Sequence, residues 1–128
     1  LIMASLIEKE TSQPGDRKKV AAVFINRLAE GMRLQTDPTV IYGLGSSFTG
    51  KIRKSDLKHD TPYNTYTRNG MPPTPIRLPS NAALEAAAHP SPEHYLYFVS
   101  KMDGTGESQF STTLDEHNAA VRQYIKKQ

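Results

Sequence analysis

The sequence predicts an α+β fold on three observations. Helix-like stretches outnumber strand-like ones and the two are not interleaved one for one. A single Asp103-Gly104 turn joins two strand-like runs. The stretch 46–79 is polar and rich in Pro, Gly, Asn and Thr, so no helix or strand carries through it. The expected architecture is a helix-rich single domain with a small antiparallel β-hairpin and a long ordered loop region forming a cleft. The 128 residues fit one domain. A chain of that length buries roughly two thirds of its unfolded surface, enough for a core without staples.

Residues 1–12 are rich in Leu, Ile, Met, Ala, Glu and Lys, all but Ile strong helix formers, and Pro14-Gly15 stops the helix they predict. Asp16 reads as the N-cap of a second helix. In it Val20, Phe24 and Leu28 recur every fourth residue beside Ala21 and Ile25, a buried stripe, and Gly31 ends it. A short turn separates the two helices, so they are expected to pack as a hairpin. Asp37-Pro38 reads as an N-cap followed by proline at the first helical position, with a helix to about Tyr42 closed by Gly43 and Gly45. The 46–79 stretch is a loop with a helical turn near 55–58. Loops this long are functional or disordered, and Tyr63, Tyr66 and Met71 favour order. Ser80 caps a helix over 82–88, which stops before His89-Pro90. The aromatic and β-branched run Tyr95-Leu96-Tyr97-Phe98-Val99-Ser100 predicts a strand, with 107–112 returning beside it. Thr113-Leu114-Asp115-Glu116 is a capping box opening a last helix over 114–126, with Lys126 and Lys127 at its C-terminal dipole end.

Composition excludes several classes. Cysteine is absent, so there is no disulfide and no thiolate metal site, and the redox compartment stays open. The net charge is +3, with the densest cations at Arg17-Lys18-Lys19 and Lys51-Ile52-Arg53-Lys54. Both groups are too short for a polybasic tail; they read as solvated faces or as an attraction to an anionic polymer or membrane surface. With no zinc-finger spacing and no aromatic RNA-binding motif, no nucleic-acid partner is expected. His59, His89, His94 and His117 fall on different elements with no paired metal-ligand spacing, so no metal is expected. Neither a Gly-x-Ser-x-Gly elbow nor a glycine-rich phosphate loop occurs. The opening Leu1-Ile2-Met3-Ala4-Ser5-Leu6-Ile7 is too short to span a bilayer, which needs about twenty residues, and no charged region precedes it as in a signal peptide. A chain opening inside a helical pattern is expected to be a fragment.

For chemistry, Glu8 is the first candidate. Leu1, Ala4, Ser5 and Thr11 or Ser12 share its helix face. A carboxyl on that mostly apolar face is expected to be partly desolvated, which raises its pKa as a general acid for a glycosidic oxygen requires. The alternative is a surface glutamate at a helix end. Glu10 lies about 200° around the helix from Glu8, so the two cannot face one atom; it reads as solvated or paired with a basic residue. Glycosidases usually need two carboxylates, and capping accounts for Asp37. One well-placed acid without a second fits a reaction in which the substrate supplies its own nucleophile. Tyr42, Tyr63, Asn64, Thr65 and Tyr66 offer the rings, amide and hydroxyls of a sugar groove, making the loop region the wall of a substrate cleft. Tyrosines anchoring the loop to the core would explain the same residues. His117 and Asn118 could reach the cleft, or serve a surface or capping role.

Taken together, Ile7-Glu8-Lys9-Glu10-Thr11, Phe24-Ile25-Asn26-Arg27-Leu28 and Met32-Arg33-Leu34-Gln35-Thr36-Asp37-Pro38-Thr39-Val40-Ile41-Tyr42-Gly43 resemble the MltG (YceG-like) family. So do Tyr63-Asn64-Thr65-Tyr66, Gly70-Met71-Pro72-Pro73, and Ala86-Ala87-Ala88-His89-Pro90 before the first strand. The match runs in order through nearly the whole chain and is least diagnostic after Asp103-Gly104. The resemblance implies an endolytic peptidoglycan lytic transglycosylase. Such an enzyme cleaves the MurNAc-β-1,4-GlcNAc bond and leaves 1,6-anhydroMurNAc ends, terminating or trimming nascent glycan strands, without a cofactor. It implies Glu8 as the catalytic acid and base, and Gln35, Thr36, Asp37, Asn64, Thr65 and Tyr66 at the cleft. It further implies glycan strands as partner, with association with cell-wall synthases. Residues 1–128 would be the catalytic domain, with a membrane anchor and a LysM-like segment upstream, acting at the periplasmic face of the inner membrane. A non-catalytic peptidoglycan-binding module and a hydrolytic muramidase are the alternatives. The aminodeoxychorismate lyase label that such sequences have carried would need pyridoxal phosphate on a lysine. Lys9 is nearest the candidate acid, but no phosphate loop accompanies it.

Overall fold

The computed structural model describes residues 1–11 and 13–125. The readings that involved Ser12, Lys126 and Lys127 lie outside them. In chain order come α1 (Ile2–Glu10), α2 (Pro14–Ala29), α3 (Asp37–Leu44) running into a 3-10 turn (Gly45–Ser47), α4 (Lys54–Lys58), α5 (Asn81–Ala88), β1 (Tyr97–Ser100), β2 (Ser108–Ser111) and α6 (Leu114–Tyr124). The α+β architecture is thus as the sequence predicts, hairpin and capping box included.

Helix α1 is the centre of the molecule, touching α2, α3 and α5. Its Ala4, Leu6 and Ile7 are wholly buried with Val20, Ala21 and Phe24 of α2 and Ala83 of α5. The predicted stripe of α2 is therefore the core stripe at Val20, Ala21 and Phe24, with Leu28 packed at its margin and Ile25 only partly buried outside the cluster. The strands pair antiparallel, with Phe98 opposite Phe110. The Phe24 ring meets Phe98 edge-on at 6.2 Å, and Phe98 stacks on Phe110 at 5.8 Å, joining hairpin to helices. Helix α6 lies over both strands. Its start is closed by Thr113 and Glu116 in the expected reciprocal box.

Two expected caps are replaced. Proline 14 occupies the first turn of α2 and Gln13 is its N-cap, so the helix starts before Asp16 rather than after it. The Asp16 carboxylate is buried and accepts from the Ser108 backbone N–H at 2.9 Å, tying β2 to the first turn of α2. Asp16→Ala is expected to lower the unfolding free energy by about 1–2 kcal/mol, since it orphans that donor and removes an anion from the helix start. A denaturant midpoint measures this; an unchanged midpoint would mean water replaces the carboxylate without loss. Likewise Asp37 is not the cap of α3. Thr36 holds that position, Asp37 stands inside the first turn, and its side chain is free for another partner. Helix α3 continues past Tyr42 through Gly43, where a Cβ would come within 2.4 Å of the Thr61 Oγ1, so the loop packs against bare backbone.

The loop over 46–79 is ordered by its own polar side chains. Asn64 is fully buried. Its Nδ2 donates to the Leu57 and His59 carbonyls at 3.1 and 2.8 Å, and its Oδ1 accepts from the Tyr66 and Thr67 N–H groups at 2.8 and 3.2 Å. The buried Thr65 Oγ1 accepts from the Thr36 N–H at 2.9 Å and lies 2.9 Å from the Thr39 Oγ1. Further along, the Ile76 N–H donates to the buried Ser5 Oγ of α1 at 3.1 Å. Among the described residues no helix is long and apolar enough to cross a membrane.

Candidate active site

A cleft of about 340 Å³ opens where the end of α1 meets the start of α3, floored by α2 and closed by Tyr66, Phe98 and His117. It contains Glu10 and does not contain Glu8. This corrects the expectation for both carboxylates. The opposed directions of Glu8 and Glu10 hold, but α1 is covered on both sides. Its Ser5–Glu8 face is latched to the segment before α5, and Glu10 at its end turns to the cleft. Glu8 Oε1 accepts from the Ser80 N–H at 2.8 Å. Hydrogen bonds from Ser80 hold the carboxyl below the ordinary glutamate value, and the Arg77 and Arg17 charges add to this. A group so held is a standing carboxylate, the opposite of the raised pKa expected for it.

Glu10 is the last residue of α1 and largely buried. Burial pushes its carboxyl above the ordinary value; a hydrogen bond from Thr36 works against the shift, and the neighbouring Asp37 charge adds to it. That bond, from the Thr36 Oγ1 to the Glu10 Oε1, is 2.5 Å. Glu10 is therefore only partly exposed and is matched with no basic residue among the described ion pairs. Because Glu10 holds its proton more tightly folded than unfolded, the stability it contributes is fully present below its unfolded value of 4.5 and is lost as pH rises through the raised folded value. Glu10→Gln is expected to be increasingly more stable than the unmutated chain as pH rises from about 4 to about 8. Urea midpoints at the two ends check this, and a constant difference would contradict the shift.

Asp37 accepts from the Tyr66 hydroxyl at 2.5 Å. Burial, then that bond, pushes the Tyr66 phenol well above the ordinary tyrosine range, so it stays a donor. Gln35 also lines the cleft, in a left-handed backbone conformation at φ 51° that is unusual for a residue with a side chain. Of the residues singled out in the sequence, Gln35, Thr36, Asp37, Tyr66 and His117 are gathered here. The others are not. Asn64 has all four of its hydrogen-bonding positions occupied by backbone, and Thr65 is spent on Thr36 and Thr39, so both hold the loop. Tyr42 and Tyr63 pack ring to ring at 4.7 Å away from the cleft, the Tyr63 hydroxyl against the Thr74 Oγ1 at 2.7 Å. Asn118 is exposed on α6, and its neighbour His117 takes the cleft position.

Besides Glu10, sequence reasoning missed Arg27 and Phe98. Arg27 sits three residues after Phe24 on the buried face of α2, and a cation on a buried face is a signal that was there to be used. Its Nε donates to the Leu96 carbonyl at 2.7 Å and its Nη1 to the Arg33 carbonyl at 3.0 Å, which fixes the approach to β1 and the turn before Gln35. Among the described residues no group of three or more His, Asp or Glu side chains is placed to hold a metal ion.

Comparison with known proteins adds to this geometry. The family model described as YceG-like family matches residues 1–123. An endolytic murein transglycosylase of Bacillus subtilis (strain 168) is 48% identical over 125 residues, covering 98% of this chain and 34% of that protein. One of Streptococcus pneumoniae serotype 2 is 33% identical over 129 residues, covering 98% of this chain and 23% of that protein. The crystal structure of a yceG-like protein from Listeria monocytogenes matches with a TM-score of 0.83 and 51% identity, over 91% of this chain and 38% of that one. The chain thus spans about a third and about a quarter of the length of these two relatives.

Proposed function

Because the chain belongs to the YceG-like family, we propose that it is the catalytic domain of an endolytic peptidoglycan lytic transglycosylase, with Glu10 as its acid and base. One observation carries the reading: a largely buried carboxyl with a raised proton affinity stands in the cleft, beside hydroxyl and carboxylate groups suited to sugars. The names borne by the matched relatives support the same reaction.

In this mechanism Glu10 gives its proton to the glycosidic oxygen between MurNAc and GlcNAc, and the C1–O bond breaks with positive charge building at C1. The 6-hydroxyl of the same MurNAc attacks C1, and the Glu10 carboxylate takes the hydroxyl proton. The products are a 1,6-anhydroMurNAc end and a free GlcNAc 4-hydroxyl; no water is consumed, and Glu10 is again protonated. The attack is intramolecular, so proximity replaces an enzyme nucleophile. Thr36 orients Glu10, Asp37 favours its protonated form and faces the charge at C1, and Gln35 and Tyr66 supply polar contacts to the sugars. The proposal places this domain in a longer protein carrying a membrane anchor and a LysM-like segment, acting on nascent strands at the periplasmic face beside cell-wall synthases.

Asp37 favours one other reading. Two carboxylates in one cleft are what a hydrolytic muramidase uses. Mass spectrometry of glycan strands digested with this chain separates the two, because a reducing end is heavier than an anhydro end by one water. Anhydro ends are expected. Reducing ends would make the enzyme a hydrolase, and uncut strands would leave a binding module.

A further inference from the structure

The cleft that holds Glu10 also holds a cation. Arg27 is only 9% exposed. Its Nε and Nη1 are held by carbonyls, its Nη2 donates to no described residue, and no described carboxylate pairs with it. A guanidinium does not give up its proton in a protein, so this is a fixed, nearly buried cation facing a cleft without a counter-ion. Such a charge is costly to bury unless an anion completes it.

The neighbouring His117 tells the same story by another route. Its Nδ1 is buried and has no hydrogen-bond partner. Burial first, then the Arg27 charge, holds the imidazole below its ordinary pKa, so near neutral pH it keeps one N–H donor. The ring of Tyr97 aligns the two groups: His117 stacks on it at 5.0 Å and the Arg27 Cζ lies 5.1 Å from its centroid. Tyr66 feels the charges of both Glu10 and Arg27. The cleft therefore carries both a carboxyl of raised proton affinity and a cation without a described counter-ion.

We propose that Arg27 and His117 form a subsite for a carboxylate carried by the glycan strand, so that the enzyme reads a strand's acidic substituent while cutting its sugar bond. The proposal rests on the reading of the cleft as a glycan site. A planar guanidinium matches a carboxylate better than it matches a hydroxyl or amide, and a charge-assisted pair also fixes register. Two sources share this chemistry. One is the lactyl carboxylate of a MurNAc without its peptide, and the other is a carboxylate of the peptide stem that otherwise blocks it.

The test reads the His117 imidazole resonances of the intact chain by NMR during titration with N-acetylmuramic acid, N-acetylglucosamine and N-acetylmuramyl-L-alanyl-D-isoglutamine. N-acetylmuramic acid or the dipeptide is expected to bind about ten-fold or more tightly than N-acetylglucosamine. The affinity of that ligand should fall with added salt. Preference for the free sugar acid identifies the lactyl carboxylate, and preference for the dipeptide identifies the stem. Equal affinities for all three, or no response of His117 to any, would overturn the subsite. Cleavage to anhydro ends alongside such a failure would leave the enzymatic reading intact. Selective binding of the acid by a chain that cuts nothing would keep the subsite and sink the enzyme.

Discussion

Glu10→Gln is expected to lower the turnover of glycan strands by about 10²–10⁴-fold, with KM little changed, because it deletes the carboxylic acid proposed to protonate the glycosidic oxygen while keeping its shape. The glutamine oxygen can still accept from the Thr36 hydroxyl, so the fold has no reason to suffer. Glu8→Gln is expected to leave turnover at the level of the unmutated chain, since its oxygen can still accept from the Ser80 N–H and it touches no part of the cleft. The pair is the informative experiment, measured as anhydro ends released per unit time. Loss in Glu8→Gln with survival in Glu10→Gln would reverse the roles. The unmutated enzyme should also slow as pH rises through the raised Glu10 value, where the acid form disappears.

Asn64→Ala should unfold the chain more easily rather than merely weaken substrate binding. Two carbonyls and two N–H groups lose their partner at once in a fully buried position. A loss of about 2–4 kcal/mol is expected, and on the order of 10 °C in the thermal midpoint. Because Thr65 and Tyr66 follow directly, the damage should spread to the Tyr66–Asp37 bond and reduce activity in the surviving folded fraction. A variant with an unchanged midpoint and a raised KM would instead return Asn64 to the role of a sugar contact.

The elements were readable because their signals are local. The core stripe of α2, the Ser80 cap, the Asp103-Gly104 turn and the Thr113 box each depend on residues within a few positions of one another. What the sequence did not decide is which of Glu8 and Glu10 lines the cleft. A helical wheel states that the two side chains oppose each other, but not which side of a helix covered on both faces holds the cleft. That depends on the Ser5 and Glu8 bonds to a segment some seventy residues away. The Asp16 and Asp37 caps failed for a smaller reason: Pro14 already starts α2 and Thr36 holds the cap position of α3, so both carboxylates lie inside the first turn and take distant partners. Asn64 and Thr65 hold the loop through bonds the sequence did not announce, because a polar motif in a loop looks the same whether it binds sugar or its own backbone.

Helix α1 stops at Glu10, and that stop has an electrostatic meaning of its own. The peptide groups of a helix align so that its C-terminal end carries a partial negative charge, and a carboxylate set there is opposed by about 0.3–1 kcal/mol at an exposed site and by more when partly buried. The acid of the cleft thus gains proton affinity from the polarity of the backbone that presents it, a contribution that no side-chain substitution around the cleft can remove.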